Sequence, residues 1–495
     1  MMYREEKSDS LIVAAKLANN PQGAESVERR SGAKGNAEQP HMRRTQSRES
    51  LSQRLSRVRE AAKQRKKERF TALFHLLTAE ALENAFLSLS RKAAAGVDGV
   101  RWKDYAENLK VNIADLHRRL HQGSYRAQPG RRHYIPKADG KQRPLGIASL
   151  EDKIVQYALV KILNAVYEND FMGFSYGFRP GRSQHNALDA LATGLVRTNV
   201  NWVLDADISQ FFDKVSHEWL IRFIEHRIGD QRVIRLIRKW LTAGTSEEGE
   251  WRASEEGTPQ GAVISPLLAN IYLHYVFDLW AHQWRRRHAT GNVVMVRYAD
   301  DIVIGFDKRI DAQCFRIAMQ RRLKEFGLTV HPKKTRLMEF GRFAAENRAS
   351  RGKGKPETFN FLGFTHISGK DRSGRFMLIR KTRRDRMTAT LKAIKDGLRK
   401  RWHYSIPEQG KWLRRVVQGY LNYHSVPGNY PMMRKFRIYV TDLWRRALRR
   451  RSQQDDTTWT KANRLAAVWL PKVRVLHPWP VERFTARHPR QEPGA

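Results

Sequence analysis

The stretch 292–306 constrains the fold of this chain most strongly, and it reads Asn-Val-Val-Met-Val-Arg-Tyr-Ala-Asp-Asp-Ile-Val-Ile-Gly-Phe. Two β-branched, apolar runs flank the polar centre Tyr298-Ala299-Asp300-Asp301, which predicts a hairpin with two adjacent carboxylates at its tip. Because side chains alternate along a strand, both acids can approach one site only where the backbone turns. Adjacent carboxylates repel unless a cation lies between them, and oxygen ligands favour Mg²⁺. An ordinary polar turn is the simpler interpretation of the pair alone.

The charge balance predicts a polyanionic partner. Lys and Arg total 92 against 50 Asp and Glu, which gives a net charge of +42, and a surplus of this size points most simply to nucleic acid. No apolar run reaches the roughly 20 residues of a membrane-spanning helix, and the start of the chain lacks the apolar core of a signal peptide. We therefore expect no membrane partner and a cytoplasmic location. Cys314 is the only cysteine, which excludes disulfides within the chain and cysteine-based zinc sites.

Two further stretches carry candidate chemistry. In 202–213, which reads Trp-Val-Leu-Asp-Ala-Asp-Ile-Ser-Gln-Phe-Phe-Asp, a strand would place Asp205 and Asp207 on one face, where a metal ligand is reasonable. A solvated turn is the simpler interpretation of that stretch alone. In 133–147 a predicted hairpin carries Lys137, Lys141 and Arg143 around its turn, and cations there can hold a triphosphate. A solvated basic turn is the alternative.

Helical spacing predicts the remaining organisation. Helices are expected over 70–89, 104–120, 150–168, 184–196, 313–326 and from Pro266 to Trp280, the last with Ser265 as its cap. Basic helices with interspersed aromatics are expected over 383–401, 408–423 and 431–451, a composition that suits RNA or a hybrid duplex, although most of the aromatics are expected in the core. The tail after Ser452 has no clear period and is interpreted as an extended nucleic-acid contact.

Together these stretches resemble a group II intron-encoded reverse transcriptase joined to the maturase domain of that family. Seven motifs in family order, which span roughly residues 90 to 365, make the resemblance specific, and a maturase-like segment follows them. The motifs are Ile135-Pro136-Lys137 with Arg143-Pro144-Leu145-Gly146, Ser175-Tyr-Gly-Phe-Arg179-Pro-Gly181, Asp207-Ile208 with Phe212, Gly257-Thr-Pro-Gln-Gly261 with Ser265-Pro266-Leu-Leu-Ala-Asn270, Tyr298-Ala-Asp-Asp301, Leu328 with Pro332-Lys-Lys-Thr335, and Phe361-Leu-Gly-Phe364; the maturase-like segment is Gly419-Tyr-Leu-Asn-Tyr423.

The resemblance implies an α/β (α+β) right-hand polymerase whose palm is an antiparallel sheet backed by helices. It divides the chain into a basic, largely disordered extension over 1–65, fingers over 66–200, a palm over 201–375, a helical thumb or maturase domain over 376–451, and a basic tail over 452–495. Family members often end in a zinc-binding nuclease domain. Since no cysteine follows Cys314, we expect no such endonuclease here.

The resemblance also implies the site residues. Asp207, Asp300 and Asp301 match the catalytic acids, and with the Ile208 carbonyl they would bind two Mg²⁺ ions, with Mn²⁺ as an alternative. The resemblance assigns nucleotide binding to Lys137, Arg143, Phe212, Gln260 and Lys334. Phe212 would exclude a 2′-hydroxyl by a steric clash. Contacts with nucleic acid are predicted for Arg179, Arg182, Tyr298, Arg414, Arg415, Tyr420 and Tyr423.

The implied activity is RNA-directed DNA polymerisation coupled to group II intron splicing and retrohoming. The implied partners are intron RNA, an RNA template, a DNA primer or target and dNTPs, in the bacterial cytoplasm and at the nucleoid. Two alternatives stay open: a domesticated relative that serves in phage defence or CRISPR spacer acquisition, and an RNA-splicing chaperone with a vestigial polymerase site.

Overall fold

The computed structural model describes residues 50–136, 142–247, 249–451 and 457–487. Its helices are α1 Leu51–Gln64, α2 Ala79–Ser88, α3 Trp102–Glu107, α4 Leu109–His121, α5 Leu150–Tyr167, α6 Gln184–Arg197, α7 His217–Arg227, α8 Gln231–Thr242, α9 Ser265–Leu273, α10 Leu279–Arg287, α11 Arg309–Glu325, α12 Ala344–Ala349, α13 Arg384–Lys400, α14 Ile406–His424, α15 Tyr430–Arg449, α16 Trp459–Trp469 and α17 Pro480–Arg487. Its strands are β1 Gly130–Pro136, β2 Gln142–Ile147, β3 Trp202–Asp207, β4 Thr245–Glu247, β5 Glu250–Arg252, β6 Val293–Tyr298, β7 Asp301–Phe306, β8 Arg336–Glu339, β9 Phe359–Phe361, β10 Phe364–Lys370 and β11 Phe376–Thr382.

The chain divides into two compact units, and the first contains the described residues up to 172, 210–281 and 326–328. Its sheet has the order β2-β1-β4-β5. The predicted hairpin of β1 and β2 is confirmed, because Pro136 pairs with Gln142 and Arg131 pairs with Ile147 in an antiparallel ladder. The turn between them, with Lys137 and Lys141, lies outside the described residues.

The second unit contains the described residues of 173–209, 282–325 and 329–495. Its larger sheet has the order β6-β7-β3-β8, with all neighbours antiparallel. Alternation puts Val203, Val296 and Val303 in a buried core that includes Leu188 and Leu191 of α6. This sheet is the antiparallel sheet expected from the sequence, and the mixed helical and sheet fold class is confirmed. The fingers, palm and thumb boundaries stay predictions.

The three predicted basic helices correspond to α13, α14 and α15. Their apolar faces meet in a separate core that includes Leu413, Met433, Phe436 and Trp444. Burial of these faces leaves the Lys and Arg residues outside, as the helical period predicts.

The tail is not extended throughout, so that part of its interpretation is wrong. Residues 459–469 and 480–487 form α16 and α17. Arg483 of α17 donates to both carboxylate oxygens of Asp189 in α6, with Nη2 3.0 Å from Oδ1. Arg380 of β11 lies beside the same carboxylate, with Nη1 3.6 Å from Oδ1. Asp189 is 1% exposed, so this cluster ties the tail to the core of the unit.

Arg483→Ala is expected to lower the free energy of unfolding by about 2 kcal/mol. The substitution removes a charge-assisted pair from a buried carboxylate, and the nearby Arg380 offsets part of the loss. Arg474→Ala is the matched control, because Arg474 is exposed on the same tail and should cost less than about 0.5 kcal/mol. Chemical denaturation of both variants checks this. Equal losses would show that Asp189 does not anchor the tail.

Three predicted helix boundaries are wrong. The pattern over 70–89 yields only a short 3₁₀ turn and α2, because Thr78 caps a new helix by accepting from the Ala81 amide. The segment 104–120 breaks at Asn108, whose φ of −119° and ψ of 37° are not helical. Ser265 is not the cap of α9 but lies inside it, and its hydroxyl donates to the Pro259 carbonyl.

Over the described residues, no helix combines the length and apolar character needed to cross a bilayer.

Candidate active site

The predicted hairpin tip is present in the second unit. Strands β6 and β7 pair in register from Val293 with Phe306 to Tyr298 with Asp301, which leaves Ala299 and Asp300 as the turn. Ala299 has a φ of 56°, a left-handed conformation that residues with a Cβ rarely adopt. The turn therefore places Asp300 at the tip and Asp301 at the first position of β7.

Asp207 lies directly opposite Asp301 at the end of β3. Directly opposed residues of an antiparallel ladder point to the same face, with Cα atoms about 4.5–5.5 Å apart. Asp205 lies two positions earlier, opposite Val303, so it shares that face. The fold thus brings acids from two distant parts of the sequence together at one end of the paired strands β3 and β7.

Burial and nearby negative charge raise the pKa of two of these acids, Asp301 and Asp205. Desolvation by the surrounding protein and the negative charges of Asp300, Asp207 and Asp205 raise the pKa of Asp301 to about 7, although the residue keeps an exposed surface. Desolvation, with a contribution from Asp207, raises the pKa of Asp205 to about 7 against the lowering effect of Arg336. Such shifts mark a place where burial and repulsion both disfavour charged carboxylates.

A basic loop lies against the same strand end. The Ser209 amide donates to the Thr329 carbonyl over 2.8 Å, and the His331 amide donates to the Asp207 carbonyl over 2.7 Å. These bonds bring Lys334 to the acids, where its ammonium lies 2.8 Å from Asp207 Oδ2. Lys334, which the sequence predicted for nucleotide binding, is therefore ion-paired with the Asp207 carboxylate.

The residues present fit a hard divalent cation. Asp207, Asp300 and Asp301 offer only oxygen atoms, the donor type of Mg²⁺ sites. A cation would relieve the repulsion that adds to desolvation in raising the pKa of Asp301. Within the described ranges, no three acidic, histidine or cysteine side chains already converge on one metal position.

Comparison with known proteins finds a family that matches the part of the chain containing the acidic turn. Residues 135–366 match the family described as reverse transcriptase (RNA-dependent DNA polymerase). Over these residues the chain is similar to reverse transcriptases. The matched range contains all three predicted catalytic acids, and the resemblance stated from the motifs is confirmed. A reverse transcriptase domain generally implies use of a divalent metal.

Individual relatives support the group II intron branch. Protein YkfC of Escherichia coli is 43% identical over 206 residues, which cover 41% of this chain and 54% of the relative. Group II intron-encoded protein LtrA of Lactococcus lactis is 37% identical over 223 residues, 44% of this chain and 37% of the relative. The putative COX1/OXI3 intron 1 protein of Saccharomyces cerevisiae is 26% identical over 393 residues, 66% of this chain and 46% of the relative. The matches span about half or less of each relative.

The first unit brings together two of the predicted nucleotide-binding residues, Phe212 and Gln260. The Thr258 amide donates to the Phe212 carbonyl over 2.7 Å, and Gln260 Nε2 donates to Asp213 Oδ1 over 2.6 Å. The Gly146 amide donates to the Gln260 carbonyl over 2.7 Å, which adds β2 to the same cluster. Arg143 lies exposed on β2, opposite Ile135. Lys137 lies outside the described residues.

Some of the residues predicted to contact nucleic acid are exposed, and others are buried. Arg415 and Arg414 are exposed on α14, but Arg414 already donates to the Val468 and Trp469 carbonyls at the end of α16. Tyr420 is 8% exposed and stacks on Phe436 with ring centroids 3.6 Å apart. Core packing therefore accounts for Tyr420, as expected for most aromatics of these helices.

Three more predicted contacts are engaged inside the unit. Arg179 is 5% exposed and donates to the Ser175 carbonyl. Arg182 donates to that carbonyl too and lies over the Tyr176 ring. The Tyr423 hydroxyl donates to the Leu362 carbonyl. A structural role explains these positions directly, and their contacts with nucleic acid stay predictions, as does that of the partly exposed Tyr298.

Arg297 is a site residue that sequence reasoning missed. Its side chain is 0% exposed and bonds to the Ala299 carbonyl within the acidic turn. The available signal was an arginine inside the otherwise apolar run of β6, since a buried charge needs specific partners.

Proposed function

We propose that this chain is an RNA-directed DNA polymerase that also binds group II intron RNA to promote splicing and retrohoming. The proposal depends on one observation. Asp207 of β3 and Asp301 of β7 are directly paired in the sheet, and Asp300 lies next to them at the turn. Extension of a DNA primer on an RNA template in the presence of Mg²⁺ tests it. The intact set of acids speaks against a vestigial polymerase site.

In this proposal Asp207, Asp300, Asp301 and the Ile208 carbonyl hold two Mg²⁺ ions, with Mn²⁺ as the alternative. When bound, these ions would lower the pKa of the primer 3′-hydroxyl and neutralise charge on the leaving pyrophosphate. The contribution of the chain itself is to fix the acids on paired strands, so that little reorganisation accompanies reaction. The paired register of β3 and β7 supports this role for Asp207 and Asp301.

Lys334 has two roles in this proposal. Its ammonium neutralises the Asp207 carboxylate, as its 2.8 Å contact supports. Lys334 would also neutralise charge on the leaving pyrophosphate. Lys137 and Arg143 hold the triphosphate of the incoming dNTP, and Gln260 lines the nucleotide pocket.

We propose that Phe212 selects deoxynucleotides by occupying the space of a 2′-hydroxyl. Phe212→Ala should raise incorporation of ribonucleotides relative to deoxynucleotides about 100-fold, because a clash is removed without loss of a hydrogen bond to dNTP. Single-nucleotide extension with matched rNTP and dNTP pairs measures this ratio. Its carbonyl bond to the Thr258 amide survives the substitution, so the surrounding loop is retained.

The control for this prediction is Phe211→Leu, since Phe211 is 2% exposed and belongs to the core. That variant should lose stability but keep the rNTP-to-dNTP ratio. An unchanged ratio in Phe212→Ala, with dNTP extension retained, would remove Phe212 from sugar selection.

The basic helices α13 to α15 supply the proposed surface for intron RNA, for the RNA template and for the DNA primer or target. The net charge of +42 supports this assignment, and Arg415 is exposed on it. Relatives named as an intron-encoded protein and as a nuclear intron maturase support the splicing role. We place the activity in the bacterial cytoplasm, at the nucleoid, where DNA targets are found.

A further inference from the structure

The segment that follows Gly173 lies alongside β6. The Arg297 amide donates to the Phe174 carbonyl over 2.9 Å, and the Tyr176 amide donates to the Arg297 carbonyl over 2.8 Å. Ser175 and Arg297 accordingly form a parallel bridge. The motif that the sequence assigned to nucleic-acid contact thus begins with an extended segment, Phe174 to Tyr176, joined to β6 by a single bridge next to the acidic hairpin; we call this segment the extra strand.

The side chain of Arg297 links this extra strand to the acidic turn. Its Nη2 donates to Ser175 Oγ over 2.7 Å, and its Nη1 donates to the Ala299 carbonyl over 3.0 Å. Arg297 and Ser175 are both 0% exposed. Because the Ala299 carbonyl belongs to the peptide that enters Asp300, the guanidinium fixes the orientation of the peptide plane between the two turn residues.

The close approach of the Gly177 backbone to Ala299 also restricts movement of the turn. A Cβ placed on Gly177 would lie 2.4 Å from the Ala299 nitrogen, closer than real Cβ contacts, so only glycine lets the extra strand approach the turn this closely. The φ of 56° at Ala299 is a costly conformation that persists only where surrounding contacts over-determine it. Arg297 and Gly177 together provide such contacts.

We propose that Arg297 is a positioning residue of the polymerase site, which acts by holding the Ala299–Asp300 peptide so that Asp300 and Asp301 face Asp207. The inference rests on the proposed polymerase function and adds to it a role for a residue that touches no substrate. A guanidinium suits this task because its planar fork serves two acceptors in fixed directions, whereas an ammonium is a point donor on a flexible stem.

The test compares Arg297→Lys with Arg380→Lys in the full chain. Arg380 is a matched control, because it is also buried in the second unit, at 2% exposure, and its ion-pair partner is Asp189, which is not part of the turn. Both substitutions keep the charge and remove a buried guanidinium.

For the DNA polymerase reaction we expect Arg297→Lys to lower kcat about 10- to 100-fold with the KM for dNTP changed less than about twofold, since small misplacement of reacting groups has effects of this size. Arg380→Lys should leave kcat within about twofold.

A second readout separates positioning from general damage and does not depend on activity. Amide hydrogen exchange of peptides that cover 296–302 is measured in the metal-free proteins, without nucleotide. Arg297→Lys should speed exchange there at least about tenfold, whereas Arg380→Lys should not. If the parent chain makes no DNA but the turn still loosens in Arg297→Lys, then the proposed function fails and the positioning role stands.

Ser175→Ala keeps the test informative if Arg297→Lys does not fold. It removes one acceptor of the guanidinium with little change in volume, so we expect a smaller change in the same direction for both kcat and turn exchange. Parent-like exchange over 296–302 together with parent-like kcat in the folded variants would overturn the proposal. Equal kcat losses in Arg297→Lys and Arg380→Lys would overturn it too.

Discussion

The double variant Asp300→Ala and Asp301→Ala is expected to make DNA about a thousandfold more slowly than the parent, while it binds intron RNA within about twofold of parent affinity. Both carboxylates at the turn are lost, and with them the oxygen ligands that would place divalent ions beside Asp207. Loss of metal stabilisation worth several kcal/mol corresponds to a rate change of this order. Primer extension and RNA filter binding on the same preparations measure both properties.

Asp371→Ala with Asp385→Ala is the matched control for this prediction. These acids lie in the same unit at surface ion pairs with Arg375 and Arg383, and surface pairs contribute little. The control should retain both DNA synthesis and RNA binding. Loss of RNA binding in the turn variant, with its fold intact, would mean that the acidic turn and the RNA surface do not act independently.

Affinity for intron RNA is expected to fall at least about a thousandfold between roughly 50 and 200 mM monovalent salt. A chain of net charge +42 that neutralises six or more phosphates releases as many counterions, and a salt dependence of this size follows. The exposed cations on α13 to α15, among them Lys395, Arg415 and Arg434, are the proposed source. Titration of labelled intron RNA at stepped salt concentrations gives the slope.

Variants locate that charge on the molecule. Lys395→Ala with Arg415→Ala should reduce the slope of log affinity against log salt by up to about two. Lys308→Ala with Lys324→Ala, which removes two exposed cations at α11, should change it less. A flat salt response of the parent would contradict the assigned RNA surface, and equal changes in the two variants would contradict its location on the bundle.

Local features of the site could be predicted from the sequence, because they depend on short-range patterns. The β-branched runs of 293–306 predict the hairpin, and two adjacent acids predict its acidic tip. The pairing of Asp207 with Asp301 could not be derived in this way. The two residues lie far apart in the chain, and strand register across such a distance depends on packing of the whole sheet. Only the resemblance to a known family linked them.

Features that depend on long-range contacts could not be predicted from the sequence. The period of α16 and α17 is weak in the sequence, and the tail is anchored by Arg483 on Asp189, 294 positions away. Arg179 carries the same charge as a surface arginine, yet it is buried against its own loop. Sequence shows that a residue is basic or aromatic, but exposure depends on which neighbours the fold supplies, as Tyr420 against Phe436 illustrates.

Extension of a DNA primer on an RNA template in Mg²⁺ by the parent and by Asp207→Ala tests the central claim most directly. RNA binding and thermal unfolding of both proteins establish that the variant is folded. The account predicts that the parent makes full-length DNA, that this synthesis stops on chelation of the metal, and that Asp207→Ala makes none above background. Extension by Asp207→Ala at the parent rate would contradict the claim that Asp207, Asp300 and Asp301 form the polymerase site.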